Sequence, residues 1–283
     1  MNLKNKEKTL PYISTEDYSV SRENFDLILN EELNLLYTNP VPEQLEKYYE
    51  SEEYISHTDR SDGLINKLYQ IAKKFALGKK LKLIDNLKTK TKKILDLGCG
   101  TGDFLQVCKK DNWEIVGVEP NEKARQKAKE KAIVPHRSLQ EINNKKFNVI
   151  TLWHVLEHIP DLNHTLSKIN SLLEKDGYLI IAVPNYRSYD AKHYGKFWAA
   201  YDVPRHLWHF SKESINILSK EHNMELIKTK PMLLDSFYVS LLSEKYKKGK
   251  SNLIKAFYIG LLSNLKGLTS KEYSSHIYIL KKR

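Results

Sequence analysis

Cysteine is scarce in this sequence: 283 residues contain two, Cys99 and Cys108. Two thiols so close together build no disulfide framework, and no CxxC pair is present to hold zinc. Both are expected in structural roles. Long apolar runs are missing as well. No stretch approaches the roughly 20 residues that cross a bilayer, so no membrane span is expected. The opening MNLKNKEKTL is basic but lacks the apolar segment of a secretory signal, which points to a cytoplasmic protein. There are no internal repeats, and the lysine runs are the one biased feature.

What is present suits a globular protein. Hydrophobic residues make up 41% and charged residues 29%, enough for one large α/β domain with appendages. The net charge of +11 raises nucleic acid or an anionic surface as a partner. The lysines are spread widely, with runs at 88–93 and 245–250, and no RNA-binding signature accompanies them. Nucleic acid is therefore not the expected partner; a small molecule is.

Periodicity divides the chain. Residues 1–62 read as an irregular extension, rich in Tyr, Glu and Asn and broken by Pro40 and Pro42. A helix is expected over 64–87, since Leu64, Leu68, Ile71, Phe75 and Leu83 recur at helical spacing. Strands and helices then alternate as in a parallel α/β sheet. Strands are expected at 93–97, 114–118, 133–136, 147–152, 178–183 and 224–230, with helices at 103–111, 122–131, 162–173 and 212–222. A last strand over 276–281 should pair antiparallel. The whole is a Rossmann-like seven-stranded sheet with helices on both faces, running from 63 to 283. Residues 232–272 are too long for a plain connection and read as a helical insertion. Tyr238, Leu241, Leu242 and Tyr246 form one stripe, and Leu253, Phe257, Ile259, Leu261, Leu262 and Leu265 suggest another. A lid over the substrate is the preferred reading, and a homodimer surface is the other.

The segment KKILDLGCGTGDFL is a strand, a glycine turn and a helix start. Gly98, Gly100 and Gly102 permit backbone angles and close approach that side chains block. Main-chain atoms and a helix N-terminus can then face a ligand. A dinucleotide fingerprint wants glycine at 103, where this chain has Asp103. A carboxylate there would repel a pyrophosphate but suits a cofactor carrying an amino acid. Asp96 offers the same charge. The second strand ends in Glu119-Pro120, an acid placed to accept hydrogen bonds from ribose hydroxyls.

Together these residues resemble motif I and the ribose-binding acid of class I S-adenosylmethionine-dependent methyltransferases. The similarity is to the type 23, ubiquinone-methyltransferase-like branch. The resemblance covers about residues 64–231, with 278–281 as the closing strand, and implies S-adenosylmethionine as cofactor. It also implies that Asp96, Gly98, Cys99, Gly100 and Gly102 surround the methionine part, with Glu119 and Pro120 at the ribose. Ser138 and Leu139 stand where family members contact the adenine, and Trp153 and His154 would cover the other side.

On the substrate side, FNVITLWHVLEHIPD places His154, Glu157 and His158 after a strand. On a helical turn the two histidines would share a face, either as metal ligands or as a polar wall with a general base. The segment resembles the EH signature of the small-molecule branch, which implies no metal. The base is expected to be His158, then His154, then His206. A second cluster, YDVPRHLWHFS, carries Asp202, Arg205, His206 and His209 on the ligand side of the sheet. With Glu157, Tyr186 and Trp198, the residues Asp202, Arg205 and His209 are expected to line the acceptor pocket, unless Asp202 and Arg205 merely pin their own loop.

The N-terminal stretch FDLILNEELNLLYTNPVPEQLEKYYESEEYISH resembles the lead-in of bacterial methyltransferases that begin with a small zinc ribbon. Asn30 and Leu33 stand where that group has cysteines, so a degenerate ribbon without zinc is implied. Tyr48, Tyr49, Tyr54 and His57 are expected to close over the cofactor. The expected reaction is methyl transfer to an oxygen or nitrogen of a small-molecule acceptor. The alternatives are an RNA methyltransferase, although no NPPY-type motif follows the fourth strand, and a cofactor-binding homologue without catalysis.

Overall fold

The computed structural model describes residues 10–49 and 64–283, without the side chains of 64–72. The expected roles of Tyr54 and His57, the side chains of Leu64, Leu68 and Ile71, and the boundary at 62/63 all lie outside the described residues. The main sheet has six strands in the order β5-β4-β6-β7-β10-β9. They are β4 (Lys93–Leu97), β5 (Glu114–Val118), β6 (Phe147–Trp153), β7 (Leu173–Pro184), β9 (Met224–Pro231) and β10 (Ser275–Lys282). β4 runs parallel to β5 and β6, and β6 to β7; β10 is antiparallel to both its neighbours.

Alternation along these strands builds two apolar layers. Leu95, Ile150, Leu179, Ile181 and Leu280 face one side with Leu166 of α4 (Leu162–Leu172) and Leu218 of α6 (Lys212–Glu221). Ile94, Val149, Ile180 and Ile279 face the other, against Ile84 of α1 (Leu64–Asp85) and Leu105 of α2 (Asp103–Lys110). That second layer also takes Ala128 of α3 (Glu122–Glu130). Phe75, expected within the buried stripe of α1, is exposed.

The structure departs from the sequence reading at two places. The strand over 133–136 shrinks to one bridge between Val118 and His136, so among the described residues the sheet has six strands rather than seven. Pro135 lies inside that stretch and has no N–H to give to a ladder. The extension is also not irregular throughout. β1 (Ile13–Glu16), β2 (Asn24–Asn30) and β3 (Leu35–Asn39) form an antiparallel sheet, completed by β8 (Trp208–His209) from the loop after β7. Phe25, Leu27 and Leu36 from this sheet pack with Tyr186, Trp198 and Tyr201 into a third apolar cluster.

The insertion is two helices, α7 (Asp235–Lys248) and α8 (Leu253–Ser270), which pack on each other and, through α5 (Tyr189–Tyr194), on the body. Their inward faces mix small and polar residues with part of the expected stripes. α7 buries Ser236, Val239, Ser240, Ser243 and Glu244, α8 buries Ala256, Ile259, Gly260, Ser263 and Gly267, and Leu242, Tyr246 and Leu262 pack half-buried on the third cluster. A Cβ on Gly260 would lie 2.7–3.0 Å from atoms of Phe237, so the small faces let the helices approach closely. Leu253, Phe257, Leu261 and Leu265 are left exposed.

Candidate functional site

The carboxyl end of β4 leads into the glycine turn. Gly98, Gly100 and Gly102 have φ of +71°, +54° and +76°. Gly98 and Cys99 both donate their N–H to the Val118 carbonyl, which fixes the turn against β5. A Cβ on Gly98 would sit 2.4 Å from Val155 Cγ2, whereas a Cβ on Gly100 would meet nothing within 4 Å. The turn is thus tight on its protein side and open on the other. Glu119 is buried, and its two oxygens accept the N–H groups of Gly100 at 2.8 Å and Asn121 at 2.9 Å. Pro120 is exposed and gives its carbonyl to Arg125.

Asp96, also buried, accepts the Thr151 hydroxyl at 2.5 Å. Burial pushes its pKa up to about 7, against the opposing pull of Thr151 and Lys80, with Glu119 adding to the rise. Asp103 is held below the ordinary range. Burial would raise it, but Lys131 and Lys73, each 2.8 Å away, outweigh that. Its charge is therefore spent within the chain. Ser138, half-buried, precedes a 3₁₀ turn whose Leu139 is buried in the core.

Trp153 ends β6. Phe104 meets its ring edge-on at 5.7 Å, and Lys80 Nζ lies 4.3 Å from its centroid. Its Nε1 is buried without a hydrogen-bond partner. His154 then adopts a left-handed φ of +56°, and 156–158 form a 3₁₀ turn rather than the α-helical turn expected. The two histidines consequently part. His154 Nδ1 lies 3.3 Å from Glu157 Oε1 and its Nε2 3.2 Å from Asp235 Oδ2, at the start of α7. Burial alone would lower the His154 pKa, but bonds to Asp235 and Glu157 push it up to about 10. His158 turns the other way, and its Nδ1 donates to the Arg205 carbonyl at 2.9 Å. Burial and neighbouring His206 pull its pKa down to about 4.

His206 faces His158 at 4.6 Å between ring centroids, nearly perpendicular, and its Nδ1 donates to the Ala200 carbonyl at 2.9 Å. Glu157, His158 and His206 each offer a ligand atom, all within 4.8 Å of one another. Arg205 spends its donors inside the protein: on Asp202 (3.0 and 2.6 Å), the Tyr48 carbonyl (3.0 Å), Asp17 (3.3 Å) and Ser19 (2.9 Å). His209 lies in β8, buried beside the Thr38 hydroxyl at 3.1 Å. Trp198 is buried and bonded to Asp190, and the Tyr186 hydroxyl reaches Asn34. These side chains hold the N-terminal sheet and its neighbouring loops together; His209 borders the histidine cluster, 6.4 Å from His206 between ring centroids.

Sequence reasoning passed over Asp235, Lys80, Thr151 and Val155. Thr151 was findable as a polar residue in an otherwise apolar central strand. Lys80 and Asp235 come from helices distant in sequence, and no local pattern marks them.

A methyltransferase-domain family model matches residues 67–229, more than half of the 283 residues. The ubiquinone biosynthesis O-methyltransferase of Haemophilus ducreyi is 31% identical over 108 residues, 33% of this chain and 46% of that protein. Its namesake from Pelagibacter ubique is 28% identical over 171 residues, 55% of this chain and 68% of that protein. The chain spans about half the length of the curated relatives it matches first, from 45% to 46%. Among solved structures, the magnesium protoporphyrin IX methyltransferase of Synechocystis with bound SAH has a TM-score of 0.55 at 14% identity, over 84% of this chain and 97% of that one. At that identity the likeness is one of fold.

Proposed function

The chain belongs to the methyltransferase-domain family, and from that premise we propose that it methylates an oxygen or a nitrogen of a small-molecule acceptor. The cofactor is S-adenosylmethionine. When bound, it supplies a methyl group already activated on a sulfonium. The observation that carries this reading is the open glycine turn joined to Glu119. Each Glu119 oxygen accepts one backbone N–H and keeps a further lone pair, so the carboxylate remains able to accept ribose hydroxyls. Asp96 offers counter-charge to an ammonium group, and Trp153, with its unpartnered Nε1, offers a ring and a donor. The residues present fit the cofactor.

The chain's remaining task is to align the acceptor and take its proton. His158 is our first choice. Its Nδ1, which the Tyr49 hydroxyl also meets at 3.0 Å, donates to the Arg205 carbonyl, so the lone pair sits on Nε2. His206 has the same arrangement through Ala200. His154 carries its proton at neutral pH and is better suited to orient Glu157 and Asp235 than to act as base. Its bond to Asp235 ties the start of α7 to the site, which supports reading the α7–α8 hairpin as a lid.

The N-terminal sheet reads as a ribbon kept without metal. Asn30 Oδ1 accepts the Leu33 N–H at 2.9 Å, so a side chain closes the turn at the two positions where the resemblance to a zinc ribbon would put cysteines. The test is incubation of the full chain with S-adenosylmethionine and a panel of catechols, phenols and amines, reading S-adenosylhomocysteine. Turnover on an oxygen acceptor that falls about 100-fold or more in His158→Ala is the expected result. Unchanged turnover in that variant would remove the base assignment. No turnover on any acceptor despite cofactor binding would leave a cofactor-binding homologue.

A further inference from the structure

We propose that Glu157, His158 and His206 form a binding site for one divalent transition-metal ion of the zinc class. The inference rests on the methyltransferase reading for its use, not for its existence. Three observations carry it. The ligand atoms of the three side chains lie within 4.8 Å of one another. Both imidazoles donate Nδ1–H to a backbone carbonyl, His158 to Arg205 and His206 to Ala200, each at 2.9 Å. That bond fixes the tautomer and leaves the Nε2 lone pair as the ligand, the support that metal-binding histidines commonly have. Finally, Glu157 is 1% exposed, yet its Oε2 has no hydrogen-bond partner. A buried carboxylate oxygen without a partner is costly, and a cation would satisfy it.

The donor set decides the class of ion. Two imidazole nitrogens and one carboxylate oxygen suit zinc and its first-row neighbours rather than calcium or magnesium, which take oxygen ligands. Bonds of about 2.0–2.1 Å in a tetrahedron set ligand atoms roughly 3.4 Å apart, so atoms now within 4.8 Å of one another close in by at most about 1.4 Å. Asp202 Oδ2, 3.8 Å from His206 Nε2, adds negative charge beside the site. With three protein ligands, one position stays open for an acceptor oxygen. An ion there would lower the pKa of that oxygen and take over the part otherwise given to His158, because a metal-bound Nε2 cannot also accept a proton. The spacing of His154 and His158 in sequence suggested a different pair. The structure replaces His154 by His206, which arrives from a loop nearly fifty residues further on.

The test uses the full chain, stripped with a chelator and dialysed. It is titrated with zinc by calorimetry and with cobalt by visible absorption. We expect one equivalent of saturable zinc binding and the intense cobalt bands of a low-coordinate ion. His206→Asn keeps an amide N–H for the Ala200 carbonyl while deleting Nε2. It should melt as the wild type does, weaken zinc binding at least tenfold and lose the cobalt bands; Glu157→Gln should weaken binding similarly. No saturable zinc binding, or binding that both variants retain, would overturn the site. Zinc should also raise the melting temperature of the wild type, but not of His206→Asn. Titration with S-adenosylmethionine in parallel reports on the methyltransferase reading alone. Intact cofactor binding beside absent zinc binding sinks only this inference, and the reverse pattern sinks only that reading.

Discussion

Glu119 and Gly100 are joined by a 2.8 Å hydrogen bond in which the Gly100 N–H donates to Oε2. The bond links the end of β5 to the middle of the glycine turn, so the acid and the turn hold one geometry. Burial keeps the Glu119 pKa above the ordinary range, against the pull of Asn121, Gly100 and Arg125. A carboxylate this constrained costs little further ordering when a ligand accepts it as partner.

The two glycines should respond differently to a methyl group. Gly98→Ala combines a left-handed φ of +71° with a Cβ 2.4 Å from Val155 Cγ2. The backbone alone costs about 1–2 kcal/mol, and the clash adds to it. Gly100→Ala, at φ +54°, carries comparable backbone strain and meets no protein atom. Denaturant titration should show Gly98→Ala as the less stable of the two, with part of the loss recovered in Gly98→Ala/Val155→Ala. Gly100→Ala should be the more folded variant and still bind cofactor poorly.

Cofactor affinity should depend on pH through Asp96. Its pKa of about 7 reflects burial first, with Thr151, Lys80 and Glu119 as the groups that face it. A ligand carrying an ammonium selects the ionised form, so the proton must leave for tight binding. Affinity should rise with pH by up to about tenfold per unit below pH 7 and level off above it. Asp96→Asn should bind more weakly and lose that slope. Calorimetry from pH 6 to pH 8 checks both.

Arg205 joins the loop after β7 to the N-terminal sheet, with partners Asp17, Ser19, Tyr48 and Asp202. Its guanidinium is 3% exposed, so removing it leaves Asp17 and Asp202 without their cation. Arg205→Ala should cost about 3–5 kcal/mol. Arg205→Lys should recover only part, because a single ammonium cannot meet groups arranged around a planar fork. Urea denaturation of both variants measures this. A stability within 1 kcal/mol of wild type in Arg205→Ala would show that the contact network is dispensable.

Much of the sheet was legible because its strands are buried on both faces. Val149, Ile150 and Leu152, or Leu179 to Val183, read as continuous apolar runs, and their register follows from alternation into two layers. The glycine turn was legible because three glycines at alternate positions after an apolar strand favour left-handed angles. Three things were not. Pro135 reduced an expected strand to a bridge. β1 to β3 were hidden because half of their side chains are polar and their fourth strand, β8, comes from elsewhere in the chain. The close α7–α8 contact depends on small residues, which carry no hydrophobic signal, so the apolar stripes marked Leu242, Tyr246, Ile259 and Leu262 correctly and missed the rest of the inward faces. The histidine cluster was half legible. Glu157 and His158 stand together in sequence, while His206 arrives on a distant loop that hydrogen bonds through Leu207, Trp208 and the Arg205 carbonyl hold against the 156–159 turn.

Calorimetric titration of the wild type beside Glu119→Ala asks whether the glycine turn and Glu119 hold S-adenosylmethionine. Loss of hydrogen bonds to a charged group is worth about 1.5–3 kcal/mol, so affinity should fall roughly 10- to 150-fold in the variant. Saturable binding by the wild type, weakened to that extent in Glu119→Ala, is the predicted result. Absence of binding by the folded wild type, or equal binding by both proteins, would contradict it.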